Sequence, residues 1–273
     1  MTQSSIGLPE LLSLEPLEVN LFRGVSLDLG LPQLFGGHVL AQALAAAART
    51  VPSERAVHSL HGYFLRPGDA SRPVVYQVDP TRDGGSFTTR RITAIQYGQP
   101  IFFCSASFHL AEPGFEHQSS AAAPDTASPE ALLERGVRVE RLPNLPVEIL
   151  RCDLSRDPPR HSVWIRLLGE APADPALHRQ MLAYASDLCL LATALLAHDK
   201  RPHEPGLRIA SLDHAIWFHR DLDLHDWHLY QMDSPWAGGA RGLSHGEIFD
   251  RNGVLVATTM QEGLVRFSPQ SSG

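Results

Sequence analysis

Residues 173–199 read ADPALHRQMLAYASDLCLLATALLAHD, and the fold follows from how this stretch must be buried. Asp174 is a good N-cap, and Pro175 suits the first helical turn, where an absent N–H leaves nothing unpaired. Between Met181 and Ala197 there is no Gly, no Pro and no charged residue apart from Asp187. The expectation is one long helix over 174–198, apolar on two broad faces. Such a helix cannot keep one flank in water, so a curved sheet has to wrap it. Asp187 is then buried beside Ala183, Tyr184, Leu190 and Leu191. Taking a carboxylate out of water costs several kcal/mol, of order, unless something compensates. Either it bonds to backbone and serves the fold, or it is a catalytic group whose pKa the pocket sets.

Outward from this helix the chain repeats itself. An earlier stretch at 31–50, LPQLFGGHVLAQALAAAART, opens a helix at Gly36-Gly37. It places Val39, Leu40, Ala43, Leu44 and Ala47 at core spacing and stops before Pro52. Strands are expected at 59–65, 74–78, 86–96 and 101–110, the last two joined by a turn at Tyr97-Gly98-Gln99-Pro100. After the second helix come strands at 209–219, 227–232, 242–249 and 254–266, with a turn through Gly253. Ser59-Leu60 matches Ser211-Leu212 at an offset of 152, and Tyr76-Gln77 matches Tyr230-Gln231 at 154. Gly84-Gly85 matches Gly238-Gly239 at 154, and Gly98 matches Gly253 at 155. Each unit is one helix followed by an antiparallel meander, and two in tandem would join their sheets edge to edge. Between them, residues 111–129 are rich in Ala, Ser and Pro without periodicity, which reads as a surface linker. The rest of 130–171 has no clear period, apart from a strand-like run at 160–168. The expected division is an N-terminal unit 1–110, a linker 111–135 and a C-terminal unit 136–273 in an α+β fold.

Composition removes several classes of function. The chain has 273 residues, 43% hydrophobic and 19% charged, as a soluble globular protein has. A net charge of −7 with no basic tract argues against nucleic acid and anionic membranes as partners. Cys104, Cys152 and Cys189 are isolated, which fits neither a disulfide framework nor a zinc site. The first twenty residues carry acids and no basic region, so no secretory signal is expected, and Gln270–Gly273 is no peroxisomal address. No apolar run has the length of a membrane span. A cytoplasmic location is the expectation.

Several segments together resemble a known family: LFGGHVLAQAL (34–44), HSLHGYFLRPGD (58–69), RDGGSF (82–87), SLDHAIWFHR (211–220), SPWAGGARGL (234–243) and RNGVLVATTMQEG (251–263). In this order they resemble the acyl-CoA thioesterase II family from about Leu17 to Phe267. The resemblance implies a double hot-dog fold and hydrolysis of fatty acyl-CoA to free acid and CoA. It also implies a homodimer or homotetramer, and a water-activating trio of Asp187, Ser211 and Gln261. No metal and no cofactor are implied.

Thioester hydrolysis requires a positioned water, a base and donors for the developing oxyanion. Asp187 would be the base, Ser211 would hold the water or the carboxylate, and the Gln261 amide both accepts and donates. The first unit has no acid between Asp28 and Glu54, and an offset of 154 sets Ser107 against Gln261, so one site per chain is expected. Gly36 and Gly37 would let a thioester carbonyl or a phosphate reach helix N–H groups, although close helix packing explains them equally well. Arg66, Arg90, Arg91, Arg220 and Arg241 are candidates for the CoA phosphates, or else solvated surface charges.

Other readings compete. Strand alternation sets Asp213 on the same face as Ser211, which makes it the second candidate acid. Asp213-His214 would be the source of an enoyl-CoA hydratase or dehydratase pair, although neighbours on a strand face opposite ways. Gly242-Leu243-Ser244-His245-Gly246 is a literal G-x-S-x-G, but a strand and turn follow it where a nucleophile elbow needs a helix. His225 and His228 have the look of a metal pair without a third ligand. A catalytically silent acyl-CoA-binding protein is the remaining alternative.

Overall fold

The computed structural model describes residues 7–119, 126–141 and 143–268. The terminal stretches on which the targeting expectations rest, 1–6 and 269–273, and residues 120–125 of the expected linker lie outside these. In chain order the elements are α1 (Leu8–Leu11), β1 (Glu15–Glu18), β2 (Leu21–Gly24), α2 (Gly36–Ala48), β3 (Arg55–Phe64), β4 (Val74–Asp83), β5 (Phe87–Gln96), β6 (Gln99–Leu110) and α3 (Pro129–Glu134). Then follow β7 (Val147–Arg156), β8 (Pro159–Leu167), α4 (Pro175–Ala185), a 3₁₀ segment (Leu191–His198), β9 (Leu207–Ser211), β10 (Asp213–Phe218), β11 (His228–Gly238), β12 (Arg241–Phe249) and β13 (Leu255–Phe267).

All strands join one antiparallel sheet in the order β1-β2-β4-β5-β6-β3-β10-β13-β12-β11-β8-β7, with β9 also on β13. Read from its two ends the order is the same, with β1 matching β7, β2 matching β8 and so on inward to the central pair β3 and β10. That pair is the seam: Ser59 faces Trp217 and Tyr63 faces Asp213. The repeat therefore starts a hairpin earlier than the sequence shows. β1, β2 and β7 escape detection because they are short, exposed or non-alternating, with β1 exposed along its length.

The sheet wraps α2 and α4, which pack on each other in the core. Leu40, Leu44, Tyr76, Phe102, Met181, Tyr184 and Tyr230 are all fully buried there. Gln42 of α2 is satisfied inside: its amide donates to Leu11 O and Val25 O and accepts from Tyr76 OH. Gly37 is what lets the two helices approach. A Cβ there would overlap the Tyr184 carbonyl and lie 2.6 Å from Phe35 Cε1. Gly37→Ala is expected to lower stability by about 1–3 kcal/mol through overpacking, read from denaturant unfolding.

On the far side of the sheet a smaller cluster forms where α3 covers the second unit. Leu132 packs there with Leu150, Trp164, Trp227 and Phe249. Ser128 caps α3, its hydroxyl accepting from Ala131 N.

Two expectations about the second unit are corrected. The single helix over 174–198 is two pieces, because α4 ends at Ala185 and a turn over Ser186–Leu190 precedes the 3₁₀ segment. Cys189 in this turn has φ +66°, which no continuing helix allows. The apolar period runs on through the break, so hydrophobicity alone could not reveal it. Ser186 Oγ takes the Ala183 carbonyl, and Asp187 is held by Gly37 N and Gln261 Nε2 from segments distant in sequence. The strand expected at 209–219 is likewise broken at Leu212. Ser211 pairs with Gly263 but Ala215 with Met260, so this side carries one extra residue, a β-bulge.

Candidate active site

The broken helix and the bulge bring three side chains together. Asp187, just past α4, has its side chain 6% exposed. Its Oδ2 accepts from Gly37 N at 2.8 Å, in the first turn of α2. Its Oδ1 accepts from Gln261 Nε2 at 2.6 Å, and the same amide nitrogen donates to Ser211 Oγ at 3.1 Å. The base-type residue and the amide thus come from the second unit, while the N–H that orients the carboxylate comes from the first. Burial pushes the Asp187 carboxyl up to about 6, against the Gln261 and Gly37 hydrogen bonds that pull it down. Gln261 Oε1 is buried and has no protein partner among the described residues.

The bulge decides which neighbours belong here. Without it Asp213 would share the inner face with Ser211; with it, Asp213 turns to the outer face towards His61. Its Oδ1 accepts from Glu262 N at 2.6 Å, replacing a carbonyl that the bulge displaces. Asp213 is a structural residue of the bulge, and His214 faces inward, so the two do not form an acid–base pair. Ser107 also faces outward, bonded to His58 Nε2 at 2.8 Å. The inward residue of β6 is Ala106, at the offset of 155 that Gly98 and Gly253 share. The first unit therefore sets an apolar residue against Gln261.

A cleft of about 220 Å³ runs along the seam to this group. Leu34, Val39, Phe64, Ile101 and Phe102 form its apolar wall, with Gly36 and Ser211 at the inner end and Arg66 on the rim. Asp187 lies directly behind Gly36: a Cβ on that glycine would come 2.6 Å from Asp187 Oδ2. Both glycines are accordingly close-approach positions, and Gly36 also opens the N-terminus of α2 to the cleft.

Of the other cations, Arg90 is 3% exposed and fully engaged within the first unit, with Asp83, Thr50 and the carbonyls of Arg82 and Thr89. It does not line the cleft. Arg241 pairs with Glu262 at 3.3 Å and lies over Trp236, also away from the cleft. Ser244 is buried opposite Gln261 on β12, with the β12–β13 hairpin following it, so no elbow forms. Among the described residues, His178, Asp223 and His225 bring ligand-type atoms together. Their nitrogens are already engaged: His178 Nδ1 accepts from Leu224 N, His225 Nε2 accepts from Ala171 N, and His225 Nδ1 lies 2.6 Å from Asp223. His228 bonds separately to Asp226 O.

An antiparallel sheet wound twice around paired helices, with one polar trio at the seam, defines the double hot-dog class. The family described as acyl-CoA thioesterase matches residues 138–264, and its N-terminal domain matches residues 28–109. Acyl-CoA thioesterase 2 of Haemophilus influenzae is 40% identical, over 96% of this chain and 98% of its own. Human acyl-coenzyme A thioesterase 8 is 41% identical, over 98% of this chain and 91% of its own. The crystal structure of the acyl-CoA thioesterase II TesB2 from Mycobacterium marinum superposes with a TM-score of 0.82 at 43% identity, covering 96% of this chain and 98% of that one. This chain belongs to the acyl-CoA thioesterase II family.

Proposed function

We propose that the protein hydrolyses fatty acyl-CoA to free acid and CoA at one site per chain, with Asp187, Ser211 and Gln261 as its catalytic residues. The observation that carries this is the bonded trio beside an apolar cleft, which Ser211 lines and which Asp187 adjoins from behind Gly36. A water there would donate to Gln261 Oε1, which is buried without a partner among the described residues, and lie within reach of Ser211 Oγ. Asp187 takes its proton as the oxygen attacks the thioester carbon. The oxyanion develops at the N-terminus of α2, where the Gly36 N–H and the helix dipole favour negative charge. When the C–S bond breaks, the proton on Asp187 passes to the CoA sulfur. The acyl chain lies along Leu34, Val39 and Phe64, and Arg66 at the rim meets the CoA phosphates.

Thiol release from a panel of acyl-CoA esters of increasing length tests the reaction and its chain-length range together. The pH profile is a further expected outcome. Asp187 acts only when ionised, so kcat/KM should rise with pH through a midpoint near 6 and level off above it. A midpoint near the ordinary value of 3.8 would mean that the base is not this buried carboxyl.

The chain is further proposed to divide as 1–110, 111–135 and 136–273. A homodimer or homotetramer in the cytoplasm completes the reading. Self-association is supported by aromatic surface on the outer face of the sheet near the seam, where Tyr63 stacks on Phe103 and remains half exposed. Among the described residues no helix is long and apolar enough to cross a membrane.

A further inference from the structure

We propose that Ser186 and His214 are positioning residues which hold a bare imidazole nitrogen against Asp187, so that the proton taken from water is retained on that carboxyl group until the thiolate leaves. The inference rests on Asp187 being the base.

It begins at the end of α4. In a continuing helix the Ala183 carbonyl would receive the N–H of Asp187; here it accepts from Ser186 Oγ at 2.9 Å instead. A hydroxyl has one proton, and Ser186 has given it to Ala183. Towards His214 Nε2, 3.0 Å away, Ser186 Oγ can therefore only accept. The ring proton is thus fixed on Nε2, and Nδ1 is left bare.

That Nδ1 is fully buried, has no partner among the described residues and lies 3.8 Å from Asp187 Oδ1. Opposite an ionised carboxylate it meets a second acceptor, which is unfavourable. Opposite a protonated carboxyl it meets a donor. The ring therefore favours the state of Asp187 that exists after water has been deprotonated. Burial pushes His214 down to about 3, so the ring does not carry the proton away as a cation. The turn itself is braced from β11: Tyr230 OH donates to Ser186 O at 2.8 Å and lies 2.9 Å from Thr259 Oγ1.

The other titratable groups facing this pair stay neutral across the working range. Tyr184 on α4, Tyr230 on β11 and Cys189 in the turn are all raised by burial. On α2, His38 is pushed down to about 4. β13 presents the uncharged Gln261, while Glu262, Asp213 and His61 lie on the other face of the sheet. An acid limb in activity therefore reports Asp187.

Long-range ¹H–¹⁵N correlation of the ¹⁵N-labelled full chain reads the His214 tautomer directly. The expected result is protonation at Nε2 with a bare Nδ1, whose resonance moves as pH falls through the Asp187 midpoint. A proton on Nδ1 in the wild-type protein would overturn the inference. Ser186→Ala frees the ring to transfer its proton to Nδ1 and donate to the carboxylate. The acid limb of kcat/KM should then fall by about one unit and kcat by about ten-fold, with KM little changed and Ser186→Thr restoring both. An unmoved limb in folded Ser186→Ala overturns the proposal, and should that variant not fold, the wild-type tautomer decides alone. Asp187→Asn separates the two readings. Continued thioester hydrolysis by it refutes the base assignment, whereas an inactive Asp187→Asn with wild-type His214 protonated at Nδ1 refutes only the inference.

Discussion

Asp187→Asn is expected to lower kcat for acyl-CoA hydrolysis by about 10³-fold while making the protein more stable at neutral pH. The loss follows from removing the proposed general base, a contribution of roughly 10²–10⁴ in rate. The gain in stability follows from the direction of the pKa shift. Asp187 is raised from 3.8 to about 6, so folding favours its protonated form. Its contribution to stability is fully present below pH 3.8 and is lost as pH rises through about 6. Above that the wild-type protein carries a buried charge that the amide lacks, a difference on the order of 2–3 kcal/mol. Unfolding of both proteins should therefore coincide near pH 4 and separate towards pH 7, with the variant the more stable. Thiol release measured on the same samples gives the activity. A variant that is equally active, or less stable at pH 7 than at pH 4 relative to wild type, would contradict the role of this residue.

The second large effect is expected at Gln261. Its Nε2 is bonded to both Asp187 and Ser211, and its Oε1, without a partner among the described residues, is the acceptor available to water. Gln261→Leu keeps the volume and removes all three functions, and kcat should fall by about 10²-fold, as for the loss of one preorganised donor. The pH profile gives the more specific reading. The Gln261 hydrogen bond holds the Asp187 carboxyl down, so its removal should carry the acid limb above 6. This is the opposite direction to Ser186→Ala, and the pair of variants brackets the wild-type midpoint. A Gln261→Leu limb that moved down would mean that the amide does not contact the carboxylate in solution.

The site's asymmetry between the units has a physical basis. Both units supply a buried helix and a curved sheet, but only the second supplies the acid and the amide. In the first unit, Ala106 takes the place facing the core that Gln261 holds in the second. The first unit contributes instead the N–H of Gly37 and most of the cleft wall. The Asp187 carboxylate is thus held by groups from both units, beside the cleft at the seam between β3 and β10.

Much of this was legible from residues alone. The apolar helix demanded a wrapping sheet, near-constant offsets marked two units, and Asp187, with an apolar helix around it, was conspicuous as a charge with no local partner. Those features are set by hydrophobic period and local turn chemistry, which act over a few residues. What only the tertiary structure decided is where the chain departs from that period. Hydrogen bonds between segments distant in sequence end α4 at Ala185 and insert a residue at Leu212. Those two departures send Asp187 towards Gly37, turn Ser211 inward and turn Asp213 out. A one-residue shift in a strand reverses every side chain beyond it, and no single-segment pattern carries that information.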